Sequence, residues 1–162
     1  MRSKKYTKTR ANKLVLDTGV LVEYIVERAP YRRLAAKLLE PSTSTAELYI
    51  SPVTLSETLY VVYRIYASSG LPDPLSEAHR YLAWLRARVK LAEVDEETAW
   101  KAGELKGELG IALPDCYVIA TAWKLGASPL FRKPEKEMER VLGRLREMGV
   151  LFLEDMGSLG EG

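Results

Sequence analysis

The chain has 162 residues, 47% hydrophobic and 28% charged, with a formal net charge of +2, which suits one globular domain with a full core. No apolar run approaches the ~20 residues needed to span a bilayer, so no membrane association is expected, and the basic start lacks the apolar stretch of a secretory signal. A single cysteine, Cys116, excludes an intramolecular disulfide and fits a reducing, cytoplasmic setting.

Residues 1–13 carry Arg2, Lys4, Lys5, Lys8, Arg10 and Lys13 without an acid, which leaves 18 basic against 22 acidic residues, about −4, for the rest. This arm reads as a solvated, flexible segment or as a contact for a phosphate backbone. The domain itself is expected over 14–153, with a Gly-rich tail over 154–162. Leu14-Val15-Leu16 is a β-favouring run ended by Asp17 and the turn-competent Gly19. In a parallel α/β fold such a run is a buried strand whose carboxyl end faces a ligand cleft; the same Asp equally suits a helix N-cap. Val20 to Val26, with one charge, begins a helix, and a second follows Pro30 with Leu34, Ala35, Leu38 and Leu39 at the 3.6 period. Leu48-Tyr49-Ile50 reads as the next strand.

Ser51-Pro52 opens a helix with Leu55, Leu59, Val62, Tyr63 and Tyr66 on one side and Glu57 near its start. Pro72-Asp73-Pro74 breaks the chain before a helix through Ala78, Tyr81, Leu82 and Leu85. Leu91 to Val94 is a short strand, and Asp95 caps a helix that Gly110 ends. Pro114 suits a first helical turn, Asp115 follows it, and Gly126 is the stop. Pro129-Leu130-Phe131 suits a strand. One helix is expected from Pro134 to Gly149, then a last strand over Val150 to Leu153. Strands alternating with helices predict an α/β, three-layer sandwich around a mostly parallel sheet of about five strands.

Much chemistry is excluded. The lone His79 lies in a helix between Ala78 and Arg80, which leaves no histidine for a Ser-His-Asp or Cys-His mechanism. One His and one Cys do not make a zinc site of the usual kind, and Cys116 reads as a buried helix residue. No glycine-rich phosphate loop is present. With one Asn (Asn12) and no Gln, the composition has the amide-poor, charge-rich character of thermophile proteins.

The acids remain. A parallel sheet brings the loops of Asp17, Glu57 and Asp115 to one edge. Carboxylates gathered there repel one another unless a cation neutralises them, and oxygen-only ligands select Mg²⁺ or Mn²⁺, ions suited to phosphate chemistry.

At these residues the sequence resembles the PIN-domain ribonucleases, most closely the VapC toxins of toxin–antitoxin pairs. The resemblance rests on Val15 to Leu21, Ser51 to Glu57 and Leu113 to Ala122, and extends over about 14–153. It implies a PIN-like fold, a metal-dependent endoribonuclease acting on RNA, an antitoxin partner and a homodimer. It also implies that Asp17, Glu57 and Asp115 are metal ligands and that Thr18 orients the metal or a phosphate. The chain departs from the family at the fourth acid: Lys133 falls where an Asp is commonest. Glu135 is the best replacement and Glu137 the second, although both also suit the first turn of a helix. Arg132 and Lys133 are candidates for RNA phosphates. The alternatives are a non-catalytic PIN-like module that binds RNA or protein, and another doubly wound domain such as a phosphoacceptor receiver.

Overall fold

Side-chain alternation along β1 (Lys13–Leu16) decides the layering of the domain. Leu14 and Leu16 join the core on one face of the sheet, and Val15 joins the core on the other. The same alternation holds in β2 (Glu47–Ile50), where Leu48 and Ile50 oppose Tyr49, and in β4 (Ser128–Phe131), where Leu130 opposes Phe131. With β3 (Lys90–Leu91) and β5 (Leu151–Phe152) these strands form one sheet in the order β3-β2-β1-β4-β5. Every pairing is parallel. The computed structural model describes residues 13–157; the expected basic arm, apart from Lys13, and the last five residues lie outside that range.

Helices α1 (Thr18–Glu23), α2 (Arg32–Leu39), α3 (Pro52–Ser68) and α4 (Pro74–Arg86) cover one face. The other is covered by α5 (Glu96–Leu109), α6 (Leu113–Leu125), α7 (Lys136–Glu139) and α8 (Leu142–Glu147). The expected three-layer α/β sandwich is therefore present, and its sheet is wholly parallel. Sequence signals set the helix ends. Ser51 Oγ accepts the Thr54 N–H at 3.2 Å, Asp95 accepts the Thr98 N–H at 2.8 Å, and Gly110 and Gly126 close α5 and α6 at φ 70° and 64°.

Pro129 sits in a strand flanked on both sides, where a missing N–H is normally costly. Leu130 turns its carbonyl toward β1, where it accepts the Asp17 N–H at 3.0 Å. Pro129 therefore faces the other side, and β5 begins its pairing only at Leu151 opposite Leu130. No ladder bond is lost.

Four expectations are corrected. The strand expected over Leu91 to Val94 lies at Lys90–Leu91, because its register is fixed by Tyr49 and Ile50 of β2. The single helix from Pro134 is two, interrupted where Val141 leaves helical backbone (φ −120°, ψ 17°); β-branched Val141 and nearby Gly143 weaken helix propensity there. Tyr63 is exposed, not packed with Val62 and Tyr66. The tail expected from Glu154 begins as helix α9 (Leu153–Gly157), which buries Leu153 and packs Met156 against the α1–α4 core.

Candidate active site

The sheet reverses direction of winding at the β1–β4 boundary, since β2 lies to one side of β1 and β4 to the other. In doubly wound sheets the crevice at the carboxyl ends of such strands is the ligand site. Here a cleft of about 630 Å³ opens at that point. Asp17, Thr18, Glu57, Asp115, Arg132, Lys133 and Glu135 all line it.

Each acid arrives from a different element. Asp17 follows β1 and caps α1, its Oδ2 accepting the Gly19 N–H at 3.1 Å; the N-cap and cleft readings of this residue are both met. Glu57 projects from the second turn of α3 and Asp115 from the first turn of α6. Glu135 occupies the N-cap position of α7 but makes no capping hydrogen bond, so its carboxylate is not spent on the helix. Glu137 is exposed in the first turn of α7 and is absent from the cleft wall. The Thr18 hydroxyl shares a buried 3.2 Å hydrogen bond with that of Thr58, which ties α1 to α3.

Burial and mutual repulsion dominate the electrostatics. Asp17 is pushed up to about 6, chiefly by burial, with the charges of Glu57 and Glu135 adding to it and the Gly19 hydrogen bond opposing. Asp115 is pushed up to about 8 by burial first, then by Asp17, Glu135, Glu57 and Glu137. A site that raises its own acids is one that a cation would relieve. The donor set is all oxygen, which fits Mg²⁺ or Mn²⁺. Among the described residues no three acidic, histidine or cysteine side chains stand close enough to grip one ion directly. That separation is what unneutralised like charges favour, and Mg²⁺ commonly binds through one or two carboxylates while keeping several waters.

Cys116 is fully buried, and burial pushes its thiol up to about 11, which removes it as a nucleophile at neutral pH. His79 is exposed on α4, away from the residues that line the cleft. Two charged cleft residues escaped the sequence reading. Glu23 passed as the one charge in an apolar run, and Arg28 lay in the loop after α1. The spacing of Glu23 from Gly19, one helical turn, was the available signal.

An all-parallel five-stranded sheet with an acid-lined cleft at its switch point defines a doubly wound α/β domain. The profile of the PIN domain matches residues 14–149, and the chain belongs to that family. Solved structures agree in fold. VapBC2 of Rickettsia felis, bound to a DNA fragment from its promoter, has a chain that superposes with a TM-score of 0.61 at 17% identity, covering 86% of this chain and 96% of that one. The PAE2754 protein of Pyrobaculum aerophilum gives 0.60 at 16% identity, covering 96% and 95%. VapC20 of Mycobacterium tuberculosis, described as a sarcin–ricin loop cleaving toxin, gives 0.57 at 16%, covering 72% and 86%. A comparison with curated protein sequences returns no significant match.

Proposed function

We propose that this protein is a metal-dependent endoribonuclease and the toxin of a toxin–antitoxin pair. The observation that carries the reading is the convergence of Asp17, Glu57, Asp115 and Glu135 on one cleft, with Asp17 and Asp115 raised by burial and by their neighbours. Asp17, Glu57 and Asp115 would hold the ion, with Glu135 as a fourth donor. A bound Mg²⁺ or Mn²⁺ would supply an activated water and charge stabilisation at a phosphodiester. The chain's own part is to hold RNA there: Arg28, Arg132 and Lys133 line the same cleft and would engage phosphates flanking the scissile bond. Buried Phe131 and half-buried Val22 add an apolar stretch to the cleft wall. Toxin–antitoxin complexes among the fold neighbours support an antitoxin partner; the homodimer rests on the family resemblance alone.

The test is cleavage of a panel of single-stranded and hairpin RNAs with Mg²⁺ or Mn²⁺, with EDTA, and with Asp17→Asn. Cleavage that needs the metal and Asp17 is the expected result. Binding without cleavage across the panel would favour the non-catalytic module instead, with Lys133 in place of the usual fourth acid as its cause.

A further inference from the structure

Glu23 is a buried carboxylate in the cleft wall for which the nuclease reading has no task. It is 3% exposed, yet it lines the cleft. Both of its oxygens are engaged: Oε1 accepts the Tyr31 N–H at 2.9 Å, and Oε2 faces Arg132 Nη1 at 3.5 Å. Glu23 and Gly19 lie one turn apart on the same face of α1, and Arg132 runs along that face. A Cβ added at Gly19 would meet Arg132 Cβ at 3.2 Å and Asp17 Oδ2 at 3.3 Å. The bare backbone of Gly19 is thus the gap through which the Arg132 stem passes beside Asp17 on its way to Glu23. The rest of the setting is fixed as well. The Arg132 carbonyl accepts the Glu154 N–H at 3.0 Å, and the Tyr31 hydroxyl donates to Glu154 Oε1 at 3.2 Å.

A guanidinium next to a cluster of carboxylates has a competing choice. Left to itself, it would pair with Asp17, since charge-assisted contacts to a carboxylate are among the strongest available. Such a pair would occupy a metal ligand and withdraw the cation from substrate. Glu23 offers Arg132 a different, buried partner, while the Arg132 side chain stays 40% exposed at the cleft.

We infer that Glu23 is a positioning residue: it holds Arg132 off the acid cluster, leaving Asp17 open to a divalent cation and the guanidinium open to an RNA phosphate. The role rests on the nuclease reading, and it predicts an interaction between two substitutions that simple structural support would not produce.

The experiment is Mn²⁺ titration calorimetry on the full chain without RNA, joined to affinity for a single-stranded RNA oligonucleotide in EDTA. Glu23→Gln should weaken Mn²⁺ binding by about tenfold, in the range that partners of metal ligands command. Arg132→Ala should weaken RNA binding and leave Mn²⁺ affinity at or above that of wild type. In the double variant Glu23→Gln/Arg132→Ala, Mn²⁺ affinity should return to that of Arg132→Ala, because the competing guanidinium is gone. If Glu23→Gln does not fold, Glu23→Asp, which keeps the charge on a shorter arm, should show a smaller loss with the same rescue. Wild-type Mn²⁺ affinity in Glu23→Gln, or a loss that persists in the double variant, while Asp17→Asn still abolishes binding, would overturn the role of Glu23 and leave the nuclease reading standing. Absence of Mn²⁺ binding by the wild type would overturn both.

Discussion

Of the aspartates that stand at helix starts in this protein, Asp95, Asp17 and Asp115 have opposite fates. Asp95 caps α5 on the outer surface, where hydrogen bonds from the Thr98 hydroxyl and N–H, with Lys124 nearby, bring it down to about 2. Asp17 and Asp115 open α1 and α6 at the carboxyl edge of the sheet, where burial and neighbouring acids push them up to about 6 and about 8. The local motif, an acid at a helix start, is common to all three. The difference lies in what the rest of the fold brings alongside: water and a lysine at α5, apolar walls and other carboxylates at the cleft. A cap that the helix alone requires is satisfied in place, whereas the cleft acids carry unrelieved strain that a ligand can discharge.

The largest expected effect breaks this comparison at its functional end. Asp17→Asn and Asp115→Asn should each reduce metal-dependent RNA cleavage by roughly 10²-fold or more, the scale on which a lost transition-state contact acts. Asp95→Asn should leave cleavage unchanged and lower the melting temperature slightly. Steady-state cleavage rates alongside thermal melts test both halves.

The second effect concerns pH. In EDTA the folded protein holds protons on Asp17 and Asp115 at pH values where the unfolded chain, with its ordinary carboxylate values near 3.8, has released them. Stability therefore falls as pH rises from about 4 through about 8, and levels above that. Asp95 has the opposite sign: its contribution is complete above the unfolded value and is lost only as pH falls toward about 2. Melting curves from pH 5 to 9 should slope downward for wild type and flatten in Asp115→Asn. Mg²⁺ or Mn²⁺ should raise the melting temperature most at the alkaline end, since it replaces the lost protons.

A smaller effect separates the two acids of the last loop. Glu135→Gln should reduce cleavage severalfold or more and weaken the Mn²⁺-induced rise in melting temperature. Glu137→Gln should do little, because it reaches Asp115 only through its field. The smallest effect belongs to His79→Ala, which should leave cleavage unchanged. These melts also test the amide-poor composition: the wild type should unfold above the range of about 45–65 °C common to mesophile domains.

The framework was legible in the sequence because its signals are local. An apolar run ending in Asp17, Ser51-Pro52 before α3, and glycines at 110 and 126 each dictate an element boundary through the residue's own backbone chemistry. Asp17, Glu57 and Asp115 could be brought together because a parallel sheet places all such loops at one edge. Glu23 was missed as a cleft residue: its one-turn spacing from Gly19 marks its face of α1, but its partner Arg132 is 109 residues away. Two further elements were missed, for different reasons. The helix over Leu153–Gly157 is settled by packing against elements far off in sequence, Leu34 of α2 among them. The break at Val141, by contrast, is a local loss of helix propensity, outweighed in the reading by the apolar period of Met138, Val141, Leu142 and Leu145.

The two strands that border the sheet, β3 and β5, are only two residues long. A free edge of that length offers an incoming strand one or two backbone hydrogen bonds, too few for the β-augmentation by which many proteins capture extended peptides. The sheet is in effect closed to addition at both borders. A partner of this domain would then read its helices and loops, and among the described residues the exposed aromatic side chains Tyr60, Tyr63, Trp100 and Trp123 are large apolar groups available for that purpose.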